Sequence, residues 1–337
     1  MTSFPKARSL AFTIATAAAL AWSGAGAQTA EPTLAAALAD GAEYAAAVVT
    51  ARTDLATAKR DLGIAVADPS TTPMALAAAQ RAVAAAEDGL AVAIATADGD
   101  VVAAYADVLE AAATHATATH QLAILTTTLQ ATRARFDAGA VTPADVSKAE
   151  SDVAGQQRTL QEAETDLAFA NDTLAELLGK DPGTLAPITE DDLLPDASLD
   201  EVTAQALEAS ARLKNARRSL EAAQAQLAAV DNALSSRSDI EAARTAVTTA
   251  TAALQDMEAT VARDVQRAYA SVTAARNRSR GPLDSVASPT AELAAQQVRL
   301  TAGTISELAY SQSQLSLENS RASAASALHA LLAAQYA

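Results

Sequence analysis

The chain contains no cysteine. Disulfides, thiolate metal sites and a cysteine nucleophile are therefore excluded. So is the lipid-modified cysteine that tethers many exported bacterial proteins. Aromatic residues make up only 3% of the 337 residues, although half of the chain is hydrophobic. Alanine supplies most of that apolar count; it is the best helix former and a poor filler of thick cores. The composition thus favours thin helical layers over a globular core. Positive charge is also scarce, with 24 Lys and Arg against 40 Asp and Glu and a formal charge of −16. That balance argues against nucleic acid or an anionic membrane surface as a partner. Beyond the first residues, no segment offers the roughly 18 uninterrupted apolar residues of a spanning helix.

What is present begins with a secretion-type leader. Lys6 and Arg8 give a basic start, Leu10 to Trp22 a short apolar run, and Ala25-Gly26-Ala27 a small-x-small cleavage site. Residues 1–27 are expected to be a signal peptide, with the mature chain beginning at Gln28. Its removal takes the formal charge to about −18.

Helical periodicity runs through nearly all of the remainder, cut by proline and glycine at a few places. Helices are expected from Thr33 to Val66, Pro73 to Ala138, Thr142 to Leu178, Ser198 to Val230, and Ile240 onward. The last of these is expected to break at Gly281-Pro282 and Pro289 before resuming to Ala302, and a final helix starts at Thr304. The 66 residues from Pro73 would span about 99 Å at about 1.5 Å per residue. "GKDPGTLAPITEDDLLPDASLDE", from Gly179, reads as a linker. The chain therefore divides into a first helical repeat (28–178), a linker (179–200) and a second repeat (201–337). Each repeat follows the same plan of medium helix, break, long helix, glycine turn and medium helix.

Apolar residues recur every seven positions. Ile94, Val101, Val108, His115, Leu122, Leu129 and Phe136 form one series. Val146, Val153, Leu160, Leu167 and Leu174 form another, and Ala149, Ala163, Ala170 and Leu177 sit three residues after members of it, with Gln156 a polar exception in that companion series. A seven-residue period implies left-handed supercoiling of packed helices. Shifting the second series by 164 gives Tyr310, Leu317, Ala324 and Leu331, so the repeat keeps heptad phase.

The same shift joins two turns. "RFDAGAVTPADV" begins at Arg135 and "RLTAGTISELAY" at Arg299. In each, a glycine four residues after the arginine (Gly139, Gly303) can take positive φ, and Thr142 or Ser306 can cap the next helix. Each stretch reads as a tight reversal at the tip of a long helical hairpin.

Little in the sequence suggests catalysis. His115 and His120 are five apart, about 140° around a helix, and do not form an i, i+4 metal pair. "GKDPG" lacks phosphate-loop spacing, and Glu190-Asp191-Asp192 lacks a calcium-loop pattern. The expectation is no enzyme, no cofactor and no metal.

Residues Arg135 to Gly179, "RFDAGAVTPADVSKAESDVAGQQRTLQEAETDLAFANDTLAELLG", resemble the TolC-type outer-membrane efflux proteins, and the stretch from Arg299 resembles that family's second repeat. The resemblance implies an all-α subunit of two long antiparallel hairpins in coiled-coil packing. It implies a homotrimeric conduit across the periplasm, meeting a periplasmic adaptor that links it to an inner-membrane pump in efflux or secretion. The adaptor-docking residues it implies are Arg135, Gly139, Ala140, Val141 and Thr142 in the first tip. In the second they are Arg299, Gly303, Thr304, Ile305 and Ser306, and Asp145 is a possible polar contact. The implied location is the periplasm or outer membrane of a diderm bacterium.

Three departures stand beside the resemblance. Neither "ADPSTTP" nor "DNALSSRSD", the junctions where the family carries β-strands, can hold a transmembrane strand of about 9–11 residues. Ala309 and Gln312 stand where many relatives are acidic. Gly281-Pro282 interrupts the second long helix. The alternative reading is a soluble periplasmic coiled-coil scaffold descended from such a protein and not conducting.

Overall fold

A computed structural model describes residues 32–232 and 235–336. The leader expected over 1–27 lies outside the described residues. Nine α-helices occur among the latter, together with a 3-10 turn at Glu190–Asp192 and no β-strand. They are α1 (Leu34–Tyr44), α2 (Ala46–Ala67), α3 (Pro73–Asp137), α4 (Pro143–Leu178), α5 (Leu199–Ala209), α6 (Ala211–Val230), α7 (Arg237–Ser285), α8 (Ala287–Thr301) and α9 (Glu307–Tyr336). The expected all-α fold of paired long hairpins is what the structure shows.

Local chemistry explains the helix starts. Thr33, Thr72, Thr142, Ser198, Ser210 and Ser236 each accept a backbone N–H three residues on, which satisfies one of the orphan donors at a helix N-terminus. Pro73 and Pro143 occupy first-turn positions where no N–H is needed.

Two expectations are corrected. The helix expected from Thr33 to Val66 is broken at Ala45 (φ −57, ψ 126), which separates α1 from α2 with a bend of 51°. The helix expected from Ser198 to Val230 is broken at Ser210 (φ −55, ψ 114), between α5 and α6. Neither site carries Gly or Pro. The break after α1 follows from tertiary contact: the Tyr44 ring lies against Gly179, where an added Cβ would sit 3.1 Å away. Ala45 and Ser210 are related by nearly the same offset as Gly139 and Gly303. Thr33 and Ser198, which cap α1 and α5, share it too.

The third correction concerns Gly281-Pro282. The helix continues through it, and α7 ends at Ser285, with the junction to α8 at Val286. Proline lacks an N–H and so frees the carbonyl of Arg278. Ser285 donates its hydroxyl to Pro282 O at 2.7 Å, a local bond of the kind that competes with the helix ladder. The helix stops just past that point.

Helix α3 is the centre of the layer. It packs against α4 on one side and α9 on the other, and α9 packs against α7, giving the order α4–α3–α9–α7. The heptad residues form these seams: Val101, Val108, Leu129, Leu174, Leu317, Ala324 and Leu331 are buried. Gln156 is accommodated because its amide donates to Ala118 O at 3.1 Å. Phe136 breaks the series and is 41% exposed.

The densest core lies midway along α3, where Val101, Val102, Tyr105 and Val108 meet Leu34 and Ala37 of α1, Leu174 and Leu178 of α4, and Leu328 and Leu332 of α9. The linker closes it with Leu185 and Ile188, both buried. The buried Tyr105 hydroxyl lies 2.9 Å from Pro32 O and 2.6 Å from Ala186 O, tying the start of the described chain and the linker to α3. Gln335 exchanges two hydrogen bonds with the Leu194 backbone. On the far side, Asp88 of α3 pairs with Lys214 and Arg218 of α6. Burial pushes its carboxyl up, but the two cations outweigh that and hold it below the ordinary carboxylate value.

One 18-residue window of α3 reaches a mean hydropathy of 1.3, enough by length and composition to cross a membrane, and 33% of it is buried. Uninterrupted runs hid this, because an average tolerates scattered polar residues.

Candidate docking tips

Helix α3 ends at the first repeated turn. Ala138 caps it, Gly139 adopts φ 73, Gly139 N–H bonds to Phe136 O at 2.8 Å, and Ala140 N–H bonds to Arg135 O at 2.8 Å. Helix α8 ends in the same way at the second. Gly303 adopts φ 68, Gly303 N–H bonds to Leu300 O, and Thr304 N–H bonds to Arg299 O, both at 2.9 Å. This paired pattern is the Schellman closure, and the left-handed residue it needs is readily supplied by glycine. The carbonyls of Arg135 and Arg299 hold corresponding places in the two motifs.

The return helices differ. Thr142 and Asp145 form a reciprocal capping box: Thr142 N–H and Oγ1–H both reach Asp145 Oδ2 at 2.8 Å, and Asp145 N–H reaches Thr142 Oγ1 at 3.4 Å. The bonds from the Thr142 backbone and side chain hold the Asp145 carboxyl below its ordinary value. In the second tip Ser306 accepts Ala309 N–H at 3.2 Å, and Ala309 has no carboxylate to reach back. Asp145 is thus committed to its own helix start, whereas the second tip has the Ser306 cap without a reciprocal carboxylate, and Thr304 Oγ1–H bonds to Arg299 O at 2.9 Å.

The two tips point the same way. His120 pairs with Glu318 at 2.8 Å, and His329 lies 3.5 Å from Glu110, so α3 and α9 are antiparallel and their tip ends coincide within a few residues. Arg135, Gly139, Ala140, Thr142, Asp145, Arg299, Gly303, Thr304 and Ser306 are exposed, whereas Val141 and Ile305 are half-buried. An added Cβ at Gly139 or Gly303 would meet nothing within 4 Å. Neither the Arg135 nor the Arg299 guanidinium makes an ion pair among the described residues. Phe136 and Val298, which the tip motifs do not single out, are 41% and 68% exposed. Each adjoins a tip arginine, and the missed signal was an apolar residue beside a charge at a helix end. The tips therefore combine free cations, exposed apolar side chains and open backbone, which suits contact with a macromolecule more than chemistry on a small one.

The histidines are placed away from the tips, each against a glutamate of a neighbouring helix. His115 lies 3.9 Å from Glu164 of α4. His329 is 5% exposed, and its Nδ1 lies 3.5 Å from Glu110 Oε1. Burial depresses its basicity, and the nearby Glu110 and Asp107 charges offset that only in part. Among the described residues, no three His, Asp or Glu side chains gather as a metal site would.

Residues 62–180 match the family model described as outer membrane efflux protein. No curated protein matches the chain in sequence. Among solved structures, a membrane protein from Pseudomonas aeruginosa is similar with TM-score 0.62 at 15% identity, over 90% of this chain and 93% of that one. The outer membrane protein VceC from Vibrio cholerae is similar with TM-score 0.57 at 18% identity, over 90% and 95%. The CmeC outer membrane channel of Campylobacter jejuni is similar with TM-score 0.59 at 12% identity, over 89% and 85%. At such identities the likeness is one of fold.

Proposed function

From a resemblance to the TolC-type outer-membrane efflux proteins that holds in sequence over residues 62–180 and in fold over most of the chain, we propose that this chain is a subunit of an export conduit. It acts in the periplasm or at the outer membrane of a diderm bacterium, without enzymatic activity, and a pump supplies the energy. Two helical repeats, 28–178 and 201–337, joined by the linker 179–200, each contribute one tip. The subunit assembles as a homotrimer. Its tips meet a periplasmic adaptor coupled to an inner-membrane pump.

The observation that carries this reading is the pair of equivalent, glycine-closed tips facing the same end of the layer. The backbone openness at Gly139 and Gly303 allows close approach of a partner chain. Val141, Ile305, Phe136 and Val298 offer apolar contact, and Arg135 and Arg299 offer unpaired charge.

The test is affinity for the cognate adaptor. Gly303→Leu places a side chain at a positive-φ turn and is expected to weaken binding at least tenfold while helicity is retained. Val298→Asp alters only an exposed side chain and is expected to act in the same direction. Wild-type affinity in both variants overturns the assignment of the tips. The second reading, a non-conducting periplasmic scaffold, is favoured by the lack of any strand among the described residues.

A further inference from the structure

The bend at Ala45 leaves a groove beside the main core. Its volume is about 630 Å³, and it lies where the end of α1 and the start of α2 meet α3 and α4. The floor is apolar and made mostly of small side chains. Ala45, Ala97, Val101, Ala104 and Leu177 line it, and Ala97, Val101 and Ala104 are buried.

Tyr44 supplies one wall. Its ring rests on Gly179, which supports it from behind, yet the residue is 55% exposed. Aromatics are 3% of this chain, and this one is held open over an alanine floor. An aromatic face in that setting attracts a cation through the ring quadrupole and an apolar body through burial.

The rim is acidic. Asp100 and Asp107 each precede a buried seam residue, Val101 and Val108, by one position. They therefore repeat with the heptad and share one flank of α3, about 10 Å apart along its axis. Glu176 of α4 joins them in the lining. All three are exposed, and none makes an ion pair among the described residues. No Lys or Arg among the described residues lines the groove. The cations near the bend are engaged elsewhere: Arg52 donates to Ala42 O at 3.0 Å, and Lys180 pairs with Asp40 at 2.6 Å. His329, which feels the Asp107 charge, is held neutral by burial and cancels none of it. The start of α2 brings only about half an elementary positive charge, which three carboxylates outweigh. A groove of about 540 Å³ farther along α3 has a single carboxylate, Glu110, and no aromatic.

We propose that the groove at the α1–α2 bend binds a small amphiphilic organic cation. The apolar body lies on the alanine floor and against the Tyr44 ring, and the positive centre sits among Asp100, Asp107 and Glu176. The three carboxylates do not gather as closely as a metal ion requires, so they suit a large, diffuse cation. An anion of the same shape is repelled, and a neutral guest gains nothing from the rim. This binding goes beyond the conduit reading and does not depend on it.

Calorimetry on the full chain tests it. Tetraphenylphosphonium is the probe, and tetraphenylborate, of equal shape and opposite charge, is the control. The cation is expected to bind at a single site and the anion not to bind. Combining Asp100→Asn, Asp107→Asn and Glu176→Gln is expected to weaken the cation at least about tenfold. Combining Glu221→Gln, Glu258→Gln and Glu292→Gln changes the net charge equally outside the groove and is expected to stay within about twofold of wild type. Tyr44→Leu is expected to lose about threefold or more, with unchanged helicity by circular dichroism. Absence of cation binding, equal binding of both ions, or equal loss in the two triple variants overturns the proposal. A second copy seated in the groove would overturn it too: the cation would not bind, and the groove variants would change the mass seen by light scattering. Failure of the conduit reading would appear as lost adaptor affinity, which none of these readouts uses.

Discussion

Gly41 of α1 sits so close to α3 that an added Cβ would lie 2.4 Å from Val101 Cγ2, 3.6 Å from its Cβ and 4.0 Å from its Cγ1. A valine in a helix is held in one χ1 rotamer, and Val101 is 1% exposed, so the methyl has nowhere to turn. Gly41→Ala should therefore cost about 1–3 kcal/mol in overpacking, reduced by the roughly 1 kcal/mol that alanine gains over glycine inside a helix. Val101→Ala alone removes buried methyls and leaves a void, about 2–3 kcal/mol. In the double variant the methyl introduced at position 41 enters the space that Val101 vacates. The clash disappears and the helix gain remains, so the double variant should be less destabilised than Val101→Ala. The coupling should be about 2 kcal/mol in favour of the pair, well beyond the ~0.5 kcal/mol scatter of independent sites. Denaturant unfolding followed by circular dichroism, on all four corners of the cycle, reads this directly. Additive effects would refute the close approach of α1 to α3.

The second tip, the proline in α7 and the buried histidine each give a further test. Ala309→Asp should supply the reciprocal half of a capping box with Ser306 and raise stability by about 0.5–1 kcal/mol, seen as a higher midpoint; an unchanged or lower midpoint counts against the cap geometry. Pro282→Ala restores a donor for the Arg278 carbonyl and should stabilise α7 by roughly 1–3 kcal/mol, with more helical ellipticity and not less. His329 is held neutral by burial, so its folded pKa lies below its unfolded one. Its contribution is thus present above the ordinary histidine value of 6.5 and is lost as pH falls below it. The melting temperature should fall on acidification from about pH 7 to about pH 5, and His329→Leu should flatten that fall. An identical slope in the variant would place the acid sensitivity elsewhere.

The features legible in the sequence were those set by local rules. Gly139 and Gly303 were readable because a Schellman closure favours a residue that tolerates positive φ. The long α3 was readable because its cap, its first-turn proline and its heptads agree. Other features depend on contacts between distant segments. Ala45 and Ser210 break their helices without a local breaker; at the first of these, Tyr44 must reach Gly179. The stretch from Gly179 looked like a plain linker from its prolines, yet Leu185 and Ile188 complete the main core. Gly281-Pro282 looked like a stop, but a helix tolerates one proline when the freed carbonyl is near its end. The tip residues were legible as turns, whereas the exposure of Phe136 and Val298 was not, because exposure at a helix end depends on what the layer leaves uncovered.

The central claim is that this chain builds a multi-copy conduit. The measurement that addresses it most directly is fractionation of the native envelope, followed by light scattering on the gently extracted protein. The account predicts a trimer in the outer-membrane fraction. A soluble periplasmic monomer would contradict it and leave the scaffold reading in its place.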